Sequence, residues 1–112
     1  MLNNVTLVGR LTSDLEIKEV NDKKVADVTI AVQRPYKNVD GVYEADFIRC
    51  TLWGDMASNT AEYCHKGDLV GLKGTLQTDS YEDAEGNKKY VTKVNVEKLS
   101  FLSTKKADEK EA

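Results

Sequence analysis

Phe47-Ile48-Arg49-Cys50-Thr51-Leu52-Trp53-Gly54 separates cleanly when read with a period of two. Ile48, Cys50 and Leu52 fall on one face, small and apolar; Phe47, Arg49, Thr51 and Trp53 fall on the other. With the first face on a core, the second presents rings with a guanidinium between them. The outer face of a sheet is ordinarily filled with Thr, Lys and Glu. Rings spaced along a strand and punctuated by arginine suit a stacking platform for unpaired bases, which needs no sequence code because every base has a flat π-face. The competing reading is a strand buried on both faces, with Arg49 paired to a carboxylate. The strand alone does not decide between them.

Upstream, Val5 to Leu11 is β-branched and apolar, with Gly9 marking an expected bulge or tight bend. After the turn Thr12-Ser13-Asp14, Leu15 to Val20 alternates as a short half-buried strand, and Asn21-Asp22-Lys23-Lys24 reads as a polar turn. Val25 to Gln33 puts Val28, Ile30 and Val32 on one face, and Arg34-Pro35-Tyr36-Lys37 extends it. Asp40-Gly41 signals a hairpin, and Val42 to Gly54 is the return strand.

Downstream the period changes. Met56, Ala57, Thr60, Ala61 and Cys64 make one face of a short helix, with Asp55 as its expected N-cap and Gly67 placed to end it. Strands resume at Leu69 to Tyr81, where Gly71 and Gly74 suggest sharp curvature or close backbone approach, turn at Asp83 to Asn87, and return from Lys88 to Leu102. The pattern predicts an all-β domain: an OB-fold, a five-stranded Greek-key barrel with one short helix between strands 3 and 4. The domain is expected over residues 1–102, with 103–112 a charged, disordered C-terminal tail.

The chain has 112 residues, enough for a single modest core, and 31% charged against 40% hydrophobic residues sets the class as globular. No apolar run approaches the ~20 residues of a membrane span. Met1-Leu2-Asn3-Asn4 leads straight into a strand without a secretory leader, which points to the cytoplasm. Cys50 and Cys64 belong to no CxxC pair and His65 is the lone histidine, so neither zinc nor any other cofactor is expected. The net charge of −3 argues mildly against a nucleic-acid partner unless the positive groups gather on one face.

Several stretches together resemble the DNA-binding domain of bacterial single-stranded DNA-binding proteins. They are Val5-Thr6-Leu7-Val8-Gly9-Arg10-Leu11, Ala45-Asp46-Phe47-Ile48, Leu52-Trp53-Gly54, Tyr63-Cys64-His65-Lys66-Gly67 and Gly74-Thr75-Leu76-Gln77-Thr78. The resemblance covers about Met1 to Leu102. It implies sequence-independent binding and protection of single-stranded DNA in replication, recombination and repair, with a cytoplasmic, nucleoid-associated location. It implies Tyr36, Phe47, Trp53 and Tyr81 as stacking residues, and a homotetramer built as a dimer of dimers through the first strand. Arg10, Arg34, Arg49, Lys73, Lys88 and Lys89 are the candidate backbone contacts; Tyr43, Tyr63 and Tyr90 are expected as packing residues with a hydroxyl reaching solvent.

This chain departs from that family at several positions. Gln77 and Asp79 stand where members often carry arginines, Asp55 follows Trp53-Gly54 where a basic residue is common, and Tyr36 and Tyr81 replace larger tryptophans. The long tail with an acidic, aromatic-ended tip does not appear before Ala112, which leaves recruitment of other replication proteins open. An alternative reading is an OB-fold replication accessory that acts mainly through protein partners. A metal-dependent nuclease using Asp79, Glu82, Asp83 and Glu85 is a weaker one, because the spacing matches no ligand loop and no general base stands out. No Ser/His/Asp set, phosphate loop or nucleophile elbow is present, so no enzymatic activity is expected.

Overall fold

Alternating apolar positions give six strands and one helix in the computed structural model, which describes residues 2–104. They are β1 (Val5–Leu11), β2 (Lys18–Val20), β3 (Lys23–Lys37), β4 (Tyr43–Trp53), α1 (Gly54–Tyr63), β5 (Leu69–Glu82) and β6 (Lys88–Ser103). The strands run in the order β1-β5-β6-β4-β3-β2, and a second pairing, β1 with β3, joins the ends. Five strands thus close into a barrel with β2 attached outside as a hairpin on β3, and the β4–β6 pairing is the parallel one, at Cys50–Val94 and Thr51–Asn95. This is the expected OB-fold. The helix lies between the fourth and fifth of six strands; placing it between the third and fourth counts five main strands and leaves out β2.

The inward row of the opening stretch faces the core: Cys50 and Leu52 are buried and Ile48 packs against them. Around these lie Leu11, Ile30, Val70, Leu72, Val94 and Val96, with Ala57 of α1 closing one end. The core is entirely aliphatic apart from the thiols of Cys50 and Cys64.

Two glycines allow the closure. A Cβ on Gly9 would stand 2.6 Å from the Ala31 carbonyl oxygen, and one on Gly74 would collide with the carbonyl of Asn95. Gly9 makes no bulge, since β1 keeps regular register with β5 from Val5 to Arg10; the ladder shifts instead at Lys73 and Gly74 against β6.

Three local expectations change. Only Lys18–Val20 forms a strand, exposed throughout and paired with the start of β3 at the outer end of the sheet; Leu15 reaches the core from the preceding loop. Trp53, not Asp55, holds the N-cap position of α1, which begins at Gly54 (φ +68) and leaves Asp55 in the first turn. The helix ends at Tyr63, before Gly67, whose N–H donates to the Leu11 carbonyl at 2.8 Å. The expected tail lies outside the described residues from Lys105 onward, and Ser103 ends β6.

Candidate nucleic-acid interface

Register with β3 sets the outer face of β4. Phe47 stands opposite Ala31, Arg49 opposite Thr29, Thr51 opposite Asp27 and Trp53 opposite Val25. Opposed residues share a face. Small neighbours at Ala31 and Thr29 leave Phe47 and Arg49 standing clear of the sheet, and Phe47 is 69% exposed. Thr51 is the member of the row that is buried, its hydroxyl donating to Asp27 at 2.7 Å. Among the described residues none hydrogen-bonds or ion-pairs with Arg49, so the reading in which a buried Arg49 meets a carboxylate does not apply.

All the aromatic residues of the chain, one Trp, five Tyr and two Phe, lie outside the core, each at least 42% exposed. Tyr43, Tyr63 and Tyr90, expected as packing residues with a hydroxyl reaching solvent, are 49%, 69% and 70% exposed. Lys37 lies over the Tyr43 ring and Lys88 over the Tyr90 ring, each 5.7 Å from the centroid. Aromatic side chains carry a large apolar area, and a fold that places no ring in its core keeps its rings for something else.

The β5–β6 hairpin supplies the second wall. Its register opposes Gln77 to Lys93, Asp79 to Val91, and Tyr81 to Lys89. Asp79, Val91 and Lys93 line a groove of about 450 Å³ together with Arg49, Thr51, Thr29 and Thr12. Tyr81 and Lys89 continue that wall toward the hairpin tip. Lys88 alternates to the other face, opposite Glu82 and beside Tyr90, so the structure separates two lysines that are adjacent in sequence.

Other candidates lie apart from the groove. Tyr36 is 61% exposed, past an irregularity in the β3–β4 ladder between Gln33 and Lys37. It follows Arg34 by two residues on β3, outside the row of Phe47 and Trp53. Arg34 is held by Asp46 and Glu44, at 2.8 and 3.2 Å; its pKa is raised above the ordinary value and the Asp46 carboxyl is held below its own, chiefly by their hydrogen bond. Arg10 Nη1 donates to the Gly67 carbonyl at 2.9 Å. Lys73 stands beside Lys98 on the β1–β5–β6 wall, in a separate depression.

Three cations escaped sequence reading. Lys23 and Lys24 border depressions around Trp53, and Lys93 lines the main groove. Lys23 and Lys24 read as an ordinary turn; only the pairing of Val25 with Trp53 brings that turn to the ring. The hairpin itself is tight, with Asn21 (φ 52) and Asp22 (φ 65) both left-handed. Two of the four carboxylates weighed as a metal site, Asp79 and Asp83, are engaged by other groups. Asp79 pairs with Lys93 at 2.8 Å, and Asp83 accepts from the backbone N–H of Glu85 and Asn87 at 3.0 and 2.9 Å. Among the described residues no group of three or more His, Cys, Asp or Glu stands placed to hold a metal ion.

Fold and face together define a class: a small Greek-key barrel that carries unburied rings and cations on its outer wall. The chain belongs to the single-strand binding protein family, whose model matches residues 2–102. It is 49% identical over 106 residues to single-stranded DNA-binding protein B of Bacillus subtilis, covering 94% of each chain. It is 45% identical over 107 residues to single-stranded DNA-binding protein 1 of Clostridium acetobutylicum, covering 94% of this chain and 97% of that one. The single-stranded DNA-binding protein of Halalkalibacterium halodurans is 48% identical over 103 residues, but there the match spans 61% of the relative's length. Among the described residues no helix is long and apolar enough to cross a membrane.

Proposed function

We propose that this protein binds single-stranded DNA without reading its sequence, in replication, recombination and repair. The carrying observation is the outer row of β4, where exposed Phe47 and Trp53 flank an Arg49 unpaired among the described residues, while the core holds no ring at all. Bases stack on Phe47 and Trp53, with Tyr81 extending the platform along the hairpin and Tyr36 serving as an outlying one on the β3–β4 arm. Arg49 meets the backbone in the groove, Lys89 on the wall beyond it and the lysines around Trp53 beside that ring; Arg10, Lys73 and Lys88 serve strand segments passing over other walls. Arg34 contributes least, since its charge is already shared between two carboxylates. The role is one of binding rather than catalysis.

The assembly is a homotetramer, a dimer of dimers, acting in the cytoplasm on the nucleoid. Support comes from β1, which pairs with β5 from Val5 to Arg10 but with β3 only at Arg10 and Leu11. Among the described residues no strand pairs with its other edge over the rest of its length, and Val8 on β1 is 52% exposed. An open apolar edge is a hazard unless a second copy covers it.

Titrating Trp53 emission with oligo(dT) and with a duplex of equal length tests the binding mode. Trp53 is the one tryptophan, so quenching reports on a single position. Quenching by the single strand alone is expected; equal binding of the duplex contradicts stacking, because paired bases hide their faces.

A further inference from the structure

The groove between β4 and the β5–β6 hairpin carries a cation on each wall, Arg49 on one and Lys93 on the other. They are not equivalent. Arg49 has no partner among the described residues, whereas Lys93 Nζ lies 2.8 Å from Asp79 Oδ2. Gln77 Nε2 donates to the other oxygen of Asp79 at 3.2 Å, so the carboxylate is held from both sides. Lys93 is the more enclosed member of the pair, with 24% of its side chain exposed against 43% for Asp79. In this groove the Arg49 guanidinium is unengaged among the described residues, whereas the Lys93 ammonium is already engaged by the Asp79 carboxylate.

We propose that Lys93 is a phosphate-binding residue masked by Asp79, so that the DNA backbone must displace a carboxylate to use it. This deepens, and rests on, the reading of the β4 face as a single-strand platform. A masked lysine adds little to affinity, because the charge gained from phosphate is already supplied by Asp79, and the displaced carboxylate then faces the phosphate. The strand is therefore held in this groove by stacking and by Arg49, with one cation fewer than the wall carries. The lowered pKa of Asp79, caused first by its hydrogen bond to Lys93, accords with a charged and engaged carboxylate.

The salt dependence of oligo(dT) binding, followed by Trp53 emission, tests this in four proteins: wild type, Asp79→Asn, Lys93→Met and the double variant. Each newly neutralised phosphate steepens the log–log salt slope by about 0.7 on single strands. Asp79→Asn is expected to steepen the slope by about that amount, which adds roughly a two- to threefold affinity gain over a fourfold dilution of salt. Lys93→Met alone is expected to leave the slope unchanged, and the double variant to return to the wild-type slope. If Asp79 acts only by repelling DNA, Asp79→Asn will have the same effect with or without Lys93, and the proposal is overturned. Quenching with an unchanged slope in Asp79→Asn overturns the proposal alone. Absence of quenching in wild type overturns the stacking reading and the proposal with it.

Discussion

Arg34 on β3 grips Asp46 on β4, with Nε donating to both carboxylate oxygens at 3.1 Å and Nη2 to Oδ1 at 2.8 Å. Such fork-shaped pairing fixes the angle of both side chains and ties the β3–β4 arm near the point where its ladder becomes irregular. The pairing holds the Asp46 carboxyl below its ordinary value of 3.8, so around that pH the folded state binds fewer protons than the unfolded one. The stability this contributes is complete above 3.8 and is lost as pH falls through the depressed folded value. Wild type should therefore melt above Asp46→Asn near neutral pH, with the gap closing on acidification. A gap independent of pH would show that the ion pair is not its source. Because both groups are exposed, the difference should be small.

Phe47→Ala and Trp53→Ala should each weaken oligo(dT) binding by about 1–3 kcal/mol, the worth of one stacked base. Tyr90→Ala, which removes an equally exposed ring from the other face of the hairpin, should cost less. Equal losses at all three positions would mean that exposure alone, rather than the β4 face, selects the stacking residues. Phe47→Ala leaves Trp53 emission available as the readout; Trp53→Ala is followed by anisotropy of a labelled strand.

Lys23 and Lys24 border Trp53 and are expected to meet the phosphates flanking a base stacked there. Lys23→Gln with Lys24→Gln should flatten the salt slope by roughly 0.7 for each phosphate left unneutralised, up to about 1.4. A slope that does not move would take this turn out of the strand's path.

The open edge of β1 predicts its own disruption. Val8→Asp places a charge on the exposed face of that strand without touching the core, and light scattering should then show a smaller species than wild type at the same concentration. Wild type that is already a monomer at micromolar protein removes the proposed tetramer.

Both thiols are expected to resist alkylation in the folded protein. Burial pushes the Cys50 thiol up to about 11, and burial together with Asp68 raises that of Cys64, so at mildly alkaline pH neither provides much thiolate. Labelling with iodoacetamide should proceed only under denaturing conditions. Rapid modification of native protein would place one of these side chains outside the core.

Residues 47–54 show how much of the site was legible. A single strand fixes which residues share a side, because its side chains alternate regardless of what surrounds it. That was enough to set Cys50 and Leu52 in the core and to expose Phe47, Arg49 and Trp53. Asp79 could be placed on a strand, but its partner could not be named, because Lys93 stands opposite Gln77 rather than Asp79, and the ion pair is a diagonal contact that depends on side-chain direction across the hairpin. The same limit hid Lys23, Lys24 and Lys93, and led Tyr43 and Tyr90 to be read as packing residues.

By itself, then, the amino-acid order determined the barrel's strands, the aliphatic rows that fill it and the rings left over, since alternation, β-branching and turn chemistry act over a few neighbouring residues. The tertiary structure alone decided which cations are available. Arg34 and Lys93 are each matched to a carboxylate, and Arg49, among the described residues, is not. An ion pair across strands is a matter of ångströms between residues 12 to 14 positions apart, set by register and closure rather than by local preference.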